Sequence, residues 1–346
     1  MSELDISPRP TLSAEEAQPG TGFDWRLGLD YLRRTPAIPV LALFVLGGAV
    51  AFGDTFFSAR NFASIAVASS FLLIVSVGMT LVIVSGGIDL SVGSMLALGA
   101  VVTAYAARWG SPAAVIAPLV VCTLIGMTQG FLIGVARMPA FIVTLAGLLF
   151  ARGLAFKISD NGNTTHLIPD GEWVTLLGQA SFLGVGLPAW MALLVLLVGM
   201  VVLYRSPTGL ATYAVGGSEE AATLMGVRVV RTKLALYSML GLLCGIAGLL
   251  VAARSSSGLS TIGAGFELKA IAAVVIGGTL LTGGFGGLTG TLAGVLLLGV
   301  IENLINQIGT LSSFYQLVAS GAFLIIVVSA QSLLARRELR RSRGIV

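Results

Sequence analysis

"SGGIDLSVGS", residues Ser85 to Ser94, interrupts an otherwise apolar chain. One long apolar run leads into it and another leads out of it. Between them stand Gly86, Gly87, Asp89 and Ser91, followed by Gly93 and Ser94. In water such a stretch would be an ordinary turn. In lipid an unpaired backbone group costs several kcal/mol, so a break must be closed by local hydrogen bonds or must face water. How this break is closed decides how the chain crosses a membrane.

Composition sets the class. Only 10% of the 346 residues are charged and 56% are hydrophobic, against roughly 25% charged in a soluble domain. The chain reads as all-α and polytopic. Apolar stretches near the roughly 20 residues a bilayer requires predict ten spans, at about 37–53, 62–84, 88–106, 112–135, 139–157, 187–204, 233–253, 266–281, 288–308 and 315–334. The expected organisation is a cytoplasmic tail over 1–36, a transmembrane domain over 37–335 and a basic cytoplasmic tail over 336–346. The first 24 residues are polar, and "WRLGLDYLRRTP" after them reads equally as an interfacial helix or a linker. Alternation from a cytoplasmic N-terminus collects 14 of the 20 Lys and Arg residues on the inner side. The positive-inside rule then places both termini in the cytoplasm. Membrane orientation accounts for the basic excess, and no nucleic-acid partner is needed.

Cys122 and Cys244 lie in apolar runs and read as small buried hydrophobes. His166 has no Cys or His near it and reads as a loop residue; no metal site is expected. A phosphate-binding loop requires a lysine after glycine. Lys157, Lys233 and Lys269 follow Phe, Thr and Leu, so this chain is not expected to hydrolyse ATP. The glycines of "GGFGGLTG" (283–290) instead permit close helix packing or a turn.

Two loops stand out. The outer one, about 158–186, has room for a small helix or hairpin. The inner one, 205–233, contains "GSEEAATLMG". There Ser218 can cap a short helix, Glu219 and Glu220 favour its positive end, Ala221 and Ala222 propagate it, and Gly226 suits the left-handed residue that ends it. Two turns cannot stand alone in water, so the helix docks on its own protein, the membrane surface or a cytoplasmic partner.

Asp89 has two open readings. It can cap the following helix by accepting from the N–H of Ser91 or Val92. Alternatively it can, with Ser91, line a translocation path, because broken helices often do. Thr144, Glu302, Asn303 and Asn306 are further pore candidates, with interhelical glue as their competing role. Glu267 and Lys269, two apart on a helix, cannot face each other and read as interface markers.

Glu220-Ala221-Ala222 with Gly226 resembles the coupling-loop core of ABC importer permeases, without the usual downstream Ile-x-Leu-Pro. "GGIDLSVGS", "PAFIVTLAG" (139–147), "YAVGGSEEAATLMGV" and "ELKAIAAVVIGGTLLTGGFGGLTGTLAG" (267–294) resemble the ribose-type family of sugar ABC permeases, and the likeness runs from about Phe62 to Gln331. The resemblance implies a ten-helix, type II ABC importer-like permease. It also implies a second copy or sister permease, two cytoplasmic ATPase subunits that use ATP and Mg, and a periplasmic sugar-binding protein. No cofactor is expected on this chain. The absence of a basic cluster in the outer loop favours a neutral monosaccharide. "PAFIVTLAGLLFARG" and "GTLSSFYQLVASG" (309–321) look most like the galactofuranose permeases, which implies a heterodimer, with ribose, xylose or another aldose as competing substrates. Two other classes stay open: an ion-coupled carrier using Asp89, Glu267 or Glu302, and a channel or scaffold.

Overall fold

The break at Ser85 separates two helices that are both buried along most of their length. The computed structural model describes residues 37–309, with 315, 318, 321, 322, 325 and 329. Helix α1 (Ala37–Phe56) is opened near its end by Gly53, at φ 52°. Helix α2 (Ala59–Val84) is capped by Ser58, whose side chain accepts from the Asn61 N–H. Helix α3 (Val92–Ala106) continues after the break. Both α2 and α3 are buried along most of their length, so they form the centre. Around them stand α4 (Ser111–Gly134), α5 (Ala140–Ile158) and, after the long loop, α7 (Leu187–Arg205).

That loop holds a one-turn helix α6 (Leu176–Gln179) and a β-hairpin of β2 (Ser181–Phe182) with β3 (Val185–Gly186). Strand β1 (His166–Leu167) pairs antiparallel with β4 (Ser257–Gly258), at His166↔Gly258 and Leu167↔Ser257. Ser111 ties the loop down: its hydroxyl accepts from the Val174 N–H at 3.1 Å and donates to Glu172. His166, expected in a loop, stands in β1, its ring edge-on to Tyr105 and its Nε2 2.9 Å from the Ile158 carbonyl.

On the opposite face α8 (Pro207–Gly217) and α9 (Glu219–Leu224) precede α10 (Val229–Ser255). A surface cavity there brings together Arg137, Arg228 and Arg231, which makes this end a basic face. The chain closes with α11 (Phe266–Ile276) and α12 (Leu288–Ile308). The α4–α10 seam is built from small residues. A Cβ on Gly126 would stand 2.2 Å from the Tyr237 carbonyl, and one on Gly241 2.3 Å from that of Cys122. Such approach gives dispersion contacts that lipid tails cannot match. Cys122 and Cys244 are both buried and unpaired.

Eight helices among the described residues are long and apolar enough to span a bilayer. The expected eighth span, 266–281, is corrected. Its helix has 11 residues, about 16 Å at 1.5 Å per residue, against a core of about 30 Å. Gly277 and Gly278 end it. Gly278, at φ 94°, donates to the Val275 carbonyl and the Thr279 N–H reaches back to Val274. The expected span at 315–334 falls largely outside the described residues.

Candidate functional site

The break at 85–91 is closed by local chemistry. Gly86 adopts φ 83°. Its N–H reaches the Ile83 carbonyl, and that of Gly87 reaches Val82, at 2.9 and 3.0 Å. This paired pattern is a Schellman motif and satisfies two orphan carbonyls of α2. The Val84 carbonyl takes a third donor, the Gly284 N–H, at 2.8 Å. On the other side Asp89 Oδ1 accepts from the Ser91 N–H at 2.7 Å and from its hydroxyl at 2.6 Å. Gln129 Nε2 donates to the same Ser91 hydroxyl oxygen at 2.9 Å. Asp89 and Ser91 are fully buried and bind the break together. Thr144 is likewise buried; its hydroxyl reaches the carbonyls of Ala140 and Ile88. Gly93 is a contact point: a Cβ there would lie 2.2 Å from the Gly263 carbonyl.

The contact at Gly93 shows a second discontinuity. From Gly258, against the Ala100 carbonyl, the backbone follows α3 down to Gly263 against Gly93. It then starts α11 at Gly265, which adopts φ 74°. Residues 257–265 therefore run along α3 in non-helical form before α11 begins. Irregular backbone among packed helices needs replacement donors for its carbonyls. Arg152 on α5 supplies them, with Nη1 donating to the Ser260 carbonyl at 2.6 Å and to that of Ile262 at 2.8 Å. Beside this clamp lies a cavity of about 330 Å³ lined by Ser94, Leu148, Arg152, Phe156, Thr261, Ala264, Gly265 and Glu267.

The remaining pore candidates, Glu302, Asn303 and Asn306, stand on α12. Glu302 forms an ion pair with Lys269 at 2.6 Å. Asn303 and Asn61 exchange side-chain hydrogen bonds at 2.8 and 3.3 Å, and Gln307 donates to Asn303. These groups tie α11 and α2 to α12, because charged and amide groups lose least when they pair across helices. Asn306 lies on the same helix. Glu267 and Lys269 diverge as their spacing requires, Lys269 to Glu302 and Glu267 to the cavity.

Sequence reasoning did not bring out Arg152, Ser94 or Thr261. Arg152 was legible as a charge inside an apolar span, which marks a functional group by default, but its position near a predicted span end disguised it.

At the basic face α9 is capped by Ser218, whose side chain accepts from the Ala221 N–H at 3.2 Å. Gly226, at φ 82°, ends the helix: its N–H reaches the Thr223 carbonyl and that of Val227 reaches Ala222. Glu219 pairs with Lys233 at 2.6 Å. Ala222 is buried, whereas Leu224 and Met225 are 89% and 83% exposed, so the helix presents an apolar tip outward beside Glu220. The rest of this face is fastened beneath it. Tyr213 donates to the Gly286 carbonyl at 2.7 Å, and burial, with Tyr204 adding to it, pushes its phenol up to about 12.

The sequence profile described as "Branched-chain amino acid transport system / permease component" matches residues 61–328. The ribose import permease protein of Bacillus subtilis is 39% identical over 293 residues, covering 84% of this chain and 90% of that protein. The ribose import permease protein of Escherichia coli K12 is 39% identical over 294 residues, covering 84% and 91%. The fructose import permease protein of Bifidobacterium longum is 33% identical over 329 residues, covering 92% and 95%. No solved structure matches the chain.

Proposed function

Since the chain belongs to this permease family of ABC transporters, in its ribose-type sugar branch, and is a multi-pass membrane subunit rather than an enzyme, we propose that it carries a neutral monosaccharide inward across the inner membrane. The supporting observation is the 39% identity to ribose import permease proteins over 84% of the chain. The energy comes from two cytoplasmic ATPase subunits, which bind the ATP and Mg. A periplasmic binding protein delivers the sugar, and a second copy or a sister permease completes the path. The termini and the basic face lie in the cytoplasm, a placement that the Lys and Arg distribution supports. There Ser218, Glu219, Glu220, Ala221, Ala222 and Gly226 form the coupling element, with Leu224 and Met225 as its apolar tip.

The break of Gly86, Gly87, Asp89, Ser91 and Gly93 is the hinge between α2 and α3, while Thr144, Glu302, Asn303 and Asn306 hold neighbouring helices in register. Galactofuranose is the substrate that the sequence resemblance favours, ahead of ribose and other aldoses. The test is uptake of labelled ribose, fructose and galactose into proteoliposomes holding the permease, its ATPases and its binding protein. ATP-dependent uptake that survives a proton uncoupler is expected. Uptake without ATPase that collapses with the uncoupler would instead establish an ion-coupled carrier.

A further inference from the structure

A cavity lies between α3, α5 and the start of α11. Its walls carry one cation, one anion and two hydroxyls, those of Arg152, Glu267, Ser94 and Thr261. Arg152 and Glu267 line it together, and Glu267 lies close enough to act electrostatically on the guanidinium. They nevertheless form no ion pair; among the described residues those are Lys233–Glu219 and Lys269–Glu302. Arg152 uses Nη1 on two backbone carbonyls, which leaves its other N–H groups for the cavity. Ser94 is only 2% exposed yet lines the same space. Leu148 and Phe156 complete the wall with apolar surface. A volume of about 330 Å³ falls within the range of about 300–1,000 Å³ usual for small-molecule sites.

We propose that this cavity is a transit site for a neutral monosaccharide, in which Arg152 and Glu267 hydrogen-bond sugar hydroxyls and Phe156 covers a C–H face. The proposal rests on the reading of the chain as a sugar permease. A sugar hydroxyl both donates and accepts, so one ring can satisfy an acceptor-only carboxylate, a donor-only guanidinium and the hydroxyls of Ser94 and Thr261. An anionic substrate is disfavoured by Glu267 and a cationic one by Arg152. The zwitterion of an amino acid is the remaining rival. It would call on the guanidinium as a fork for its carboxylate, and Arg152 has already turned one arm of that fork to the backbone.

The test uses the full chain assembled with its ATPases and binding protein in proteoliposomes. Cys122 and Cys244 are fully buried, so Thr261→Cys supplies a reactive thiol against little background. A charged methanethiosulfonate reagent is expected to label it. Saturating ribose, fructose or galactose, whichever the wild type transports, is expected to slow labelling at least threefold, and leucine is not. Glu267→Ala is expected to lower uptake about tenfold, while ATPase stimulation by sugar-loaded binding protein persists and Glu267→Gln recovers part of the uptake. An unreactive thiol, a rate indifferent to the transported sugar, or protection by leucine would overturn the site. So would a joint loss of uptake and ATPase stimulation in Glu267→Ala, which marks a structural role. A wild-type complex that moves none of these sugars would instead overturn the functional reading.

Discussion

Asp89 shows at the scale of one residue how an acid survives at the centre of this molecule. It is fully buried, and its Oδ1 receives two hydrogen bonds from Ser91. Removing the acceptor leaves a buried N–H and hydroxyl with reduced bonding, which costs about 1–3 kcal/mol for an unsatisfied group. Asn keeps an amide oxygen in the same place. Asp89→Ala should therefore lower the melting temperature of the detergent-purified protein clearly, and Asp89→Asn much less. Equal losses in the two variants would show that the negative charge, not the acceptor, holds the break. The sequence alone marked Asp89 and allowed either a cap or a pore role. The structure adds that Asp89 is fully buried and bonded to Ser91.

Among elements, α9 was the most legible in advance. Its cap, its acidic first turn and its terminal glycine are all local devices encoded within ten residues. Its outer tip was not legible, since which of six residues face outward depends on where Ala222 is buried. If Leu224 and Met225 dock into an ATPase groove, replacing both with Glu should leave insertion and thermal stability unchanged. Capture of the ATPase and uptake should each fall at least tenfold. Glu220→Arg should act in the same direction through charge. Retained ATPase binding in the double variant would remove α9 from the coupling interface. Helix α11 is the contrasting case. Residues 266–281 carry enough apolar character to imitate a span, yet glycines at Gly277 and Gly278 stop the helix half-way. Apolar composition reports burial in protein as readily as burial in lipid.

For the whole molecule, the two faces differ in charge, and that difference carries a topology. Thr164 lies in the loop on the β1 side and Ser218 on the basic face, both exposed. With Cys122 and Cys244 buried, a cysteine placed at either position can be read cleanly in intact cells. An impermeant maleimide should label Thr164→Cys and leave Ser218→Cys untouched; labelling of the second would invert the orientation. The membrane class, most span positions, the missing phosphate-binding lysine and the capped α9 helix were all determined by sequence, because each depends on composition or on neighbours a few residues apart. The non-helical run of 257–265 along α3, the Arg152 clamp and the cavity beside Glu267 were decided only in three dimensions. They depend on α5 meeting a segment more than a hundred residues away, where Arg152 reaches carbonyls that helical bonding leaves unpaired. No local pattern records which side chain will supply that missing donor.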